Sequence, residues 1–211
     1  MKTNRILLET IAVMAVSLAG MFLFPPARIL FGLVPVAYLL IEFHLRKREW
    51  SELGFRFTTL WQDARANWLW LVVAGFVIQS VTVFWARVYF PEYLAHVRER
   101  LPFTTGLGWI FIFIILAISI LGEELTYRAL FQGRMVAFIG APAAVILASV
   151  LFGLAHFSPA PAGILAVDLG LVFIDSLLYG VIYARSHNIL LSWAAHFLGD
   201  LIALILMTSV H

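Results

Sequence analysis

Two glutamates and an arginine lie close together in a stretch of sequence that is otherwise apolar. Glu123, Glu124 and Arg128 follow Gly106–Ile120, which carries no charge. Ionisable side chains at membrane depth cost about 2.5–3.5 kcal/mol each on insertion scales. Glu124 and Arg128 are four residues apart with the acid first, so they can pair on one helix face. Glu123 points about 100° away on the same helix. We therefore expect Glu123 to need a polar cavity, a cation or a histidine from another helix.

Two histidines lie in comparable apolar surroundings further along the chain. His156 follows Phe152 by four residues, and His196 precedes Asp200 by four residues. Each motif alone is compatible with a structural role, because a lone histidine in an apolar helix is usually a core residue. Taken together, they place an acid or a histidine on three helices at similar depth. This pattern favours one shared polar pocket.

Such a pocket is suited to hydrolysis. A glutamate and a histidine that share a water molecule can remove its proton and deliver hydroxide to a carbonyl carbon. A second histidine with a hydrogen-bonding partner can stabilise the oxyanion. The chain has no cysteine, its serines lack a G-x-S-x-G setting, and it has no H-E-x-x-H motif. We therefore expect no metal and no other cofactor, although two histidines with carboxylates can also hold catalytic zinc.

The composition predicts the elements that carry these residues. The chain is 63% hydrophobic and only 12% charged, with a mean hydropathy of +0.97, against about 45–50% and about 25% in ordinary globular domains. Apolar runs of about 20 residues predict an all-α, polytopic membrane bundle of about seven helices in one domain, residues 1–211. The predicted spans are 8–24, 27–45, 68–90, 107–132, 141–158, 163–184 and 188–209. The polar segment 46–67 is expected at the interface. No basic tract interleaved with aromatics occurs, so we expect no nucleic-acid partner.

The distribution of lysine and arginine predicts the orientation. With the N-terminus in the cytoplasm, ten of the 14 basic residues fall inside and four outside, as the positive-inside rule requires. The outer four are Arg28, Arg87, Arg98 and Arg100. A short chain of this kind without further domains is typical of bacteria, so we expect the inner (cytoplasmic) membrane.

Two further acids lie within the sixth predicted span. Asp168 and Asp175 are seven residues apart and share a helix face. We expect them to line the cavity or to pair with Arg128 or Arg134. The alternative is that these two aspartates bind a transported cation.

The ordered motifs resemble those of a known family. In chain order they are EELTYR, FGLAH and HFLGD, and they are similar to the E-E-x-x-x-R, F-x-x-x-H and H-x-x-x-N/D motifs of the CPBP family. That family comprises the CAAX proteases and bacteriocin-processing enzymes, which are glutamate-type intramembrane proteases. The resemblance covers about residues 105–209, the motif-bearing core.

The resemblance implies roles for particular residues. Glu123 would be the general base, His156 would share the water, and His196 with Asp200 would bind the oxyanion. The supporting residues would be Glu124, Arg128 and Phe152. An ionised Asp200 cannot donate a hydrogen bond as asparagine does. Asp200 would therefore act in its protonated form, orient His196, or bind a metal.

The function predicted on this basis is cleavage of a peptide bond near the membrane-anchored or C-terminal part of a protein, in maturation or sorting. The predicted partners are membrane lipid and a substrate with a lipidated or hydrophobic C-terminal anchor. Two alternatives remain open on the sequence alone: a non-catalytic membrane partner such as a bacteriocin-immunity protein, and an ion-coupled transporter.

Overall fold

The regular structure is entirely helical. The computed structural model describes residues 2–100 and 108–208, and within them 88% of the chain is helical with no strands. The α-helices, in chain order, are α1 (Lys2–Leu23), α2 (Arg28–Leu45), α3 (Leu60–Ala66), α4 (Trp68–Val72), α5 (Ile78–Tyr89), α6 (Pro91–Glu99), α7 (Trp109–Glu124), α8 (Gly133–Ile139), α9 (Ala141–Ala155), α10 (Ala162–Ser186) and α11 (Ile189–Thr208). The predicted all-α class is confirmed.

Six apolar helical stretches in the described residues are long enough to cross a membrane. They are Asn4–Leu23, Pro25–Leu45, Trp68–Tyr89, Trp109–Ile139, Ala162–Ser186 and Ile189–Thr208. The remaining predicted span, the fifth (141–158), corresponds to α9, which has only 15 residues. The protein is an integral, multi-pass membrane protein, and the number seven is approximate.

Three predicted boundaries differ from the structure by three residues or more. The first span begins at Asn4 instead of residue 8. The fourth span continues to Ile139 instead of residue 132, because the chain stays helical until Gly140, whose φ of +77° ends it. The fifth stops at Ala155 instead of 158, because prolines follow at 159 and 161, and the residue before a proline is disfavoured in helical conformation. The predicted limits at residues 107 and 209 lie outside the described residues.

Polar residues are concentrated inside the bundle, and apolar ones cover it. Glu124, Arg128 and Asp168 are completely buried. Ile110, Phe111 and Ile118, on α7, are among the large apolar side chains that face outwards. This arrangement suits a lipid environment, because charged groups avoid hydrocarbon only by facing one another or an internal cavity.

A π-helical segment separates α7 from α8. It covers Leu125–Gln132, directly after Glu124, and all of its residues are buried. Such widened turns are rare and frequently occur at functional sites. The segment packs against α9, so the E-E-x-x-x-R motif is in the centre of the fold.

Helix α11 is central to the packing. It contacts α5, α7, α10 and the π-helical segment Val73–Val77 between α4 and α5. Its register with α7 is set by two contacts: the Trp193 indole N–H donates to the Ala117 carbonyl over 2.9 Å, and the Phe113 and Phe197 rings meet edge to face at 4.8 Å. This register places His196 opposite the C-terminal end of α7.

The polar segment 46–67 is anchored to the loop between α10 and α11. The Ile189 amide donates to the Gly54 carbonyl over 2.8 Å, and the Asn188 side chain donates to Asp63 Oδ2 over 3.0 Å. Gly54 has a φ of +89°, which glycine adopts without strain. The side chains of Trp50 and Trp61 are exposed, in keeping with the interfacial position predicted for this segment.

Gly180 allows α10 to approach the π-helical segment. A Cβ there would meet Gln132 Oε1 and Val145 Cγ1 at 3.0 Å, and the Gln132 amide is already fixed by its bond to the Gly180 carbonyl. We expect Gly180→Ala to lower the free energy of unfolding by about 1–3 kcal/mol, as overpacking does. Unfolding of the purified protein in detergent measures this.

Gly170 on the same helix is the matched control, because a Cβ there meets nothing within 4 Å. Gly170→Ala should be neutral or stabilise by up to about 1 kcal/mol through helix propensity. Equal effects of the two substitutions would contradict the packing argument.

Candidate active site

The three sequence motifs come together in the structure. Glu123 and Glu124 are the last two residues of α7, His196 lies in α11, and His156 directly follows α9. His196 is the centre of the cluster, because both of its ring nitrogens face carboxylates. The convergence predicted from similar membrane depths is therefore present.

Glu124 orients the His196 ring. His196 Nδ1 lies 2.9 Å from Glu124 Oε1. An ionised carboxylate only accepts hydrogen bonds, so Nδ1 carries a proton and donates it. Nε2 is then turned towards Glu123 Oε2 at 3.8 Å and Asp200 Oδ2 at 3.7 Å. Both distances exceed a hydrogen bond.

Glu124 also contacts Arg128. Glu124 Oε2 lies 3.4 Å from Arg128 Nε, and both side chains have no solvent-exposed surface. Arg128 in turn donates to the Ser176 hydroxyl over 3.0 Å. The pair expected from the i, i+4 spacing is present, but Glu124 is shared between Arg128 and His196.

Glu123 and Asp200 differ from Glu124 in accessibility. The side chain of Glu123 is 33% exposed and that of Asp200 is 41% exposed, whereas Glu124 is fully buried. Of these three acids, only Glu123 and Asp200 have side-chain surface that is not covered by the protein. Neither forms a hydrogen bond with His196, whereas Glu124 does.

Phe152 connects the two histidines. Its ring centroid lies 4.3 Å from that of His156 and 5.6 Å from that of His196. His156 Nδ1 is 2.9 Å from the Phe152 carbonyl oxygen, so this nitrogen donates and Nε2 is left for other chemistry. The spacing of four in the F-x-x-x-H motif therefore brings the phenylalanine ring between the two imidazoles.

Tyr179 is a site residue that the sequence did not reveal. Its ring stacks on His196 with centroids 4.4 Å apart and planes at 17°, and so covers one face of the imidazole. Tyr179 is four residues after Asp175 in α10, and this helical spacing is the only signal that could have placed it near the cluster.

The partners expected for Asp168 and Asp175 were wrong. Asp168 Oδ1 accepts from Arg100 over 2.5 Å, and Asp175 Oδ2 accepts from Gln79 over 2.6 Å. Arg134 instead pairs with Glu42 at 2.8 Å. The sequence could not show this, because α6 and α10 are distant in the chain and their contact depends on the packing of the whole bundle.

Over residues 2–100 and 108–208, no group of three or more histidines and acids has the arrangement of a metal site.

The comparison with protein families identifies the C-terminal half. Residues 104–202 match the model of the type II CAAX prenyl endopeptidase Rce1-like family. The chain carries an Rce1-like domain. Rce1-like proteins are proteases of the CPBP family, so the predicted resemblance and the predicted peptide hydrolase are confirmed.

The Rce1-like match includes all three motifs, from Glu123 to Asp200. No curated protein matches the chain significantly, and neither does any solved structure.

Proposed function

We propose that this Rce1-like protein is an intramembrane endopeptidase that cleaves a protein substrate near its membrane-anchored or C-terminal part. The observation that carries the proposal is the position of His196. Its Nδ1 is held by buried Glu124 at 2.9 Å, and its Nε2 is directed at two solvent-accessible carboxylates. Hydrolysis by an activated water requires a histidine whose orientation is fixed and a carboxylate that water can reach. Glu124 meets the first requirement, and Glu123 and Asp200 meet the second.

In the proposed reaction, Glu123 removes a proton from a water molecule that it shares with His156. The hydroxide attacks the carbonyl carbon of the scissile bond and gives a tetrahedral intermediate. Glu123 then passes the proton to the leaving nitrogen, the C–N bond breaks, and a carboxylic acid and an amine are released. Partial exposure of Glu123 gives water access to the base, which a fully buried acid would lack.

His196 and Asp200 form the proposed oxyanion-binding pair. His196 Nε2 faces Glu123 and Asp200. A proton on Nε2, or on the Asp200 carboxyl, can be donated in a hydrogen bond to the oxyanion as its negative charge develops. Glu124 and Arg128 are proposed as positioning residues, because Glu124 fixes the ring and Arg128 neutralises Glu124 inside the bundle.

The proposed substrate has a lipidated or hydrophobic C-terminal anchor and is processed in maturation or sorting. The family description, a CAAX prenyl endopeptidase, and the position of the site within apolar helices support this class. We also propose that the chain lies in a bacterial inner membrane with its N-terminus in the cytoplasm, as the basic residues suggest.

The test is cleavage of fluorogenic peptides by the purified protein in proteoliposomes. One peptide ends in a prenylated cysteine and three further residues, one carries a hydrophobic helical anchor, and one has neither. We expect cleavage of an anchored peptide, and a loss of about 10²- to 10⁴-fold in His156→Ala. Cleavage that is independent of any anchor, or full activity of His156→Ala, would contradict the proposal.

The proposed scheme uses side chains alone. Activity is therefore expected to survive exhaustive chelation in the same assay. A loss of activity that only zinc restores would contradict the scheme.

A further inference from the structure

Two arginines bind the end of helix α9, where His156 is located. Arg28 Nη1 donates to the Phe157 carbonyl over 2.9 Å, and Arg28 Nη2 donates to the Ala155 carbonyl. Arg100 Nη1 donates to the carbonyl of His156 itself over 3.1 Å. Three consecutive carbonyls are thus bound by guanidinium groups from the start of α2 and from the residue that follows α6.

The end of α9 requires such partners. The last four carbonyls of a helix have no intrahelical donors, and a cation there also interacts favourably with the helix dipole. The amides of His156 and Phe157 bond the carbonyls of residues 152–154. Pro159 and Pro161, which follow Ala155 and Phe157 by four residues, have no N–H group to donate to those two carbonyls. The carbonyl of His156 is therefore held from outside its own helix, while its amide and Nδ1 bond back to α9.

Arg100 is held in turn by Asp168 on α10. The two side chains meet at 2.5 Å, and Asp168 is almost fully buried. His96 on α6 lies 3.7 Å from the other carboxylate oxygen. These contacts link α6 and α10 to the turn that carries His156.

We propose that Arg28 and Arg100 are positioning residues for His156. They fix the backbone from which its imidazole projects, and thereby its distance to the water shared with Glu123. The inference rests on the proposed function, in which His156 contacts that water. A displacement of about 1 Å in a reacting group can cost about 10²-fold in rate.

The same chain contains a matched pair of arginines that should lack this effect. Arg87 donates to the Leu206 carbonyl and Arg98 to the Met207 carbonyl, both at the end of α11. These carbonyls are ten and eleven residues beyond His196, about 15 Å along the helix. The chemistry is the same, but no proposed site residue is part of the bound turn.

The experiment compares Arg28→Gln and Arg100→Gln with Arg87→Gln and Arg98→Gln, using the anchored peptide that the wild type cleaves. We expect the first two to lower kcat by about 10- to 100-fold at a KM within about twofold of wild type. The control variants should keep kcat, while melting temperatures fall by similar amounts in both pairs. Arg28→Lys and Arg100→Lys, which keep the charge, should have kcat values between those of wild type and the glutamine variants.

Three results would overturn the inference. One is a wild-type kcat in Arg28→Gln and Arg100→Gln, the second is an equal loss of kcat in all four glutamine variants, and the third is a rise in KM alone. If a glutamine variant does not accumulate, the lysine variant decides, and a wild-type kcat there overturns the inference. His156→Ala distinguishes failure of the positioning role from failure of the proposed function. If His156→Ala is inactive and the arginine variants are fully active, only the positioning role is rejected. If His156→Ala is active, the proposed function is rejected.

Discussion

Glu123→Gln is expected to lower kcat for the anchored peptide by about 10²- to 10⁴-fold, the range typical for loss of a general base. Glutamine has the same size but cannot accept the proton of water. Because the Glu123 side chain is partly exposed and has no close hydrogen bond to His196, the substitution should leave the fold intact. The measurements are kcat in proteoliposomes and the melting temperature in detergent.

Glu92→Gln is the control, since Glu92 is an exposed glutamate in α6. It should retain wild-type kcat. A Glu123→Gln protein that is folded and cleaves the peptide at the wild-type rate would exclude Glu123 as the base, and with it the proposed mechanism.

Arg128→Met is expected to destabilise the protein by about 3–5 kcal/mol, because it leaves Glu124 as an uncompensated charge in a fully buried position. The loss should be visible as a reduced midpoint in denaturant unfolding of the purified protein. The double variant Arg128→Met/Glu124→Gln should recover much of the stability, since replacing both members of a buried pair is often nearly neutral. Its activity should remain low, because glutamine lacks the charge that fixes the His196 tautomer.

The control is Arg5→Met, which removes a pair of the same spacing at the surface. Arg5 lies 2.7 Å from Glu9 but is 78% exposed, so its loss should cost at most about 0.5 kcal/mol. If Arg128→Met were as mild as Arg5→Met, the buried pair would not have the role in stability described above.

The sequence predicted the membrane helices and the meeting of the motifs, because both follow from local patterns. Apolar runs define the spans, and Glu123, His156 and His196 stand out as charges or imidazoles at similar depth. The spacing of Glu124 and Arg128 was also informative, since residues four apart on a helix are neighbours.

The division of roles among the acids could not be predicted. Whether Glu124 or Asp200 orients His196 depends on the rotation of α7 relative to α11, which is set by contacts such as Phe113 with Phe197. The partner of Asp168 was missed for a similar reason. Arg100 lies in a different part of the sequence and reaches Asp168 only when α6 has packed against α10.

The short length of α9 has a consequence for the surrounding lipid. Its 15 residues span about 22 Å, whereas the hydrocarbon layer of a bilayer is about 30 Å thick. Such hydrophobic mismatch is relieved by local thinning of the bilayer, and here the helix that is too short is the one that ends at His156. We therefore expect the bilayer to be thinned beside the candidate active site, which would shorten the path by which water and a substrate reach it.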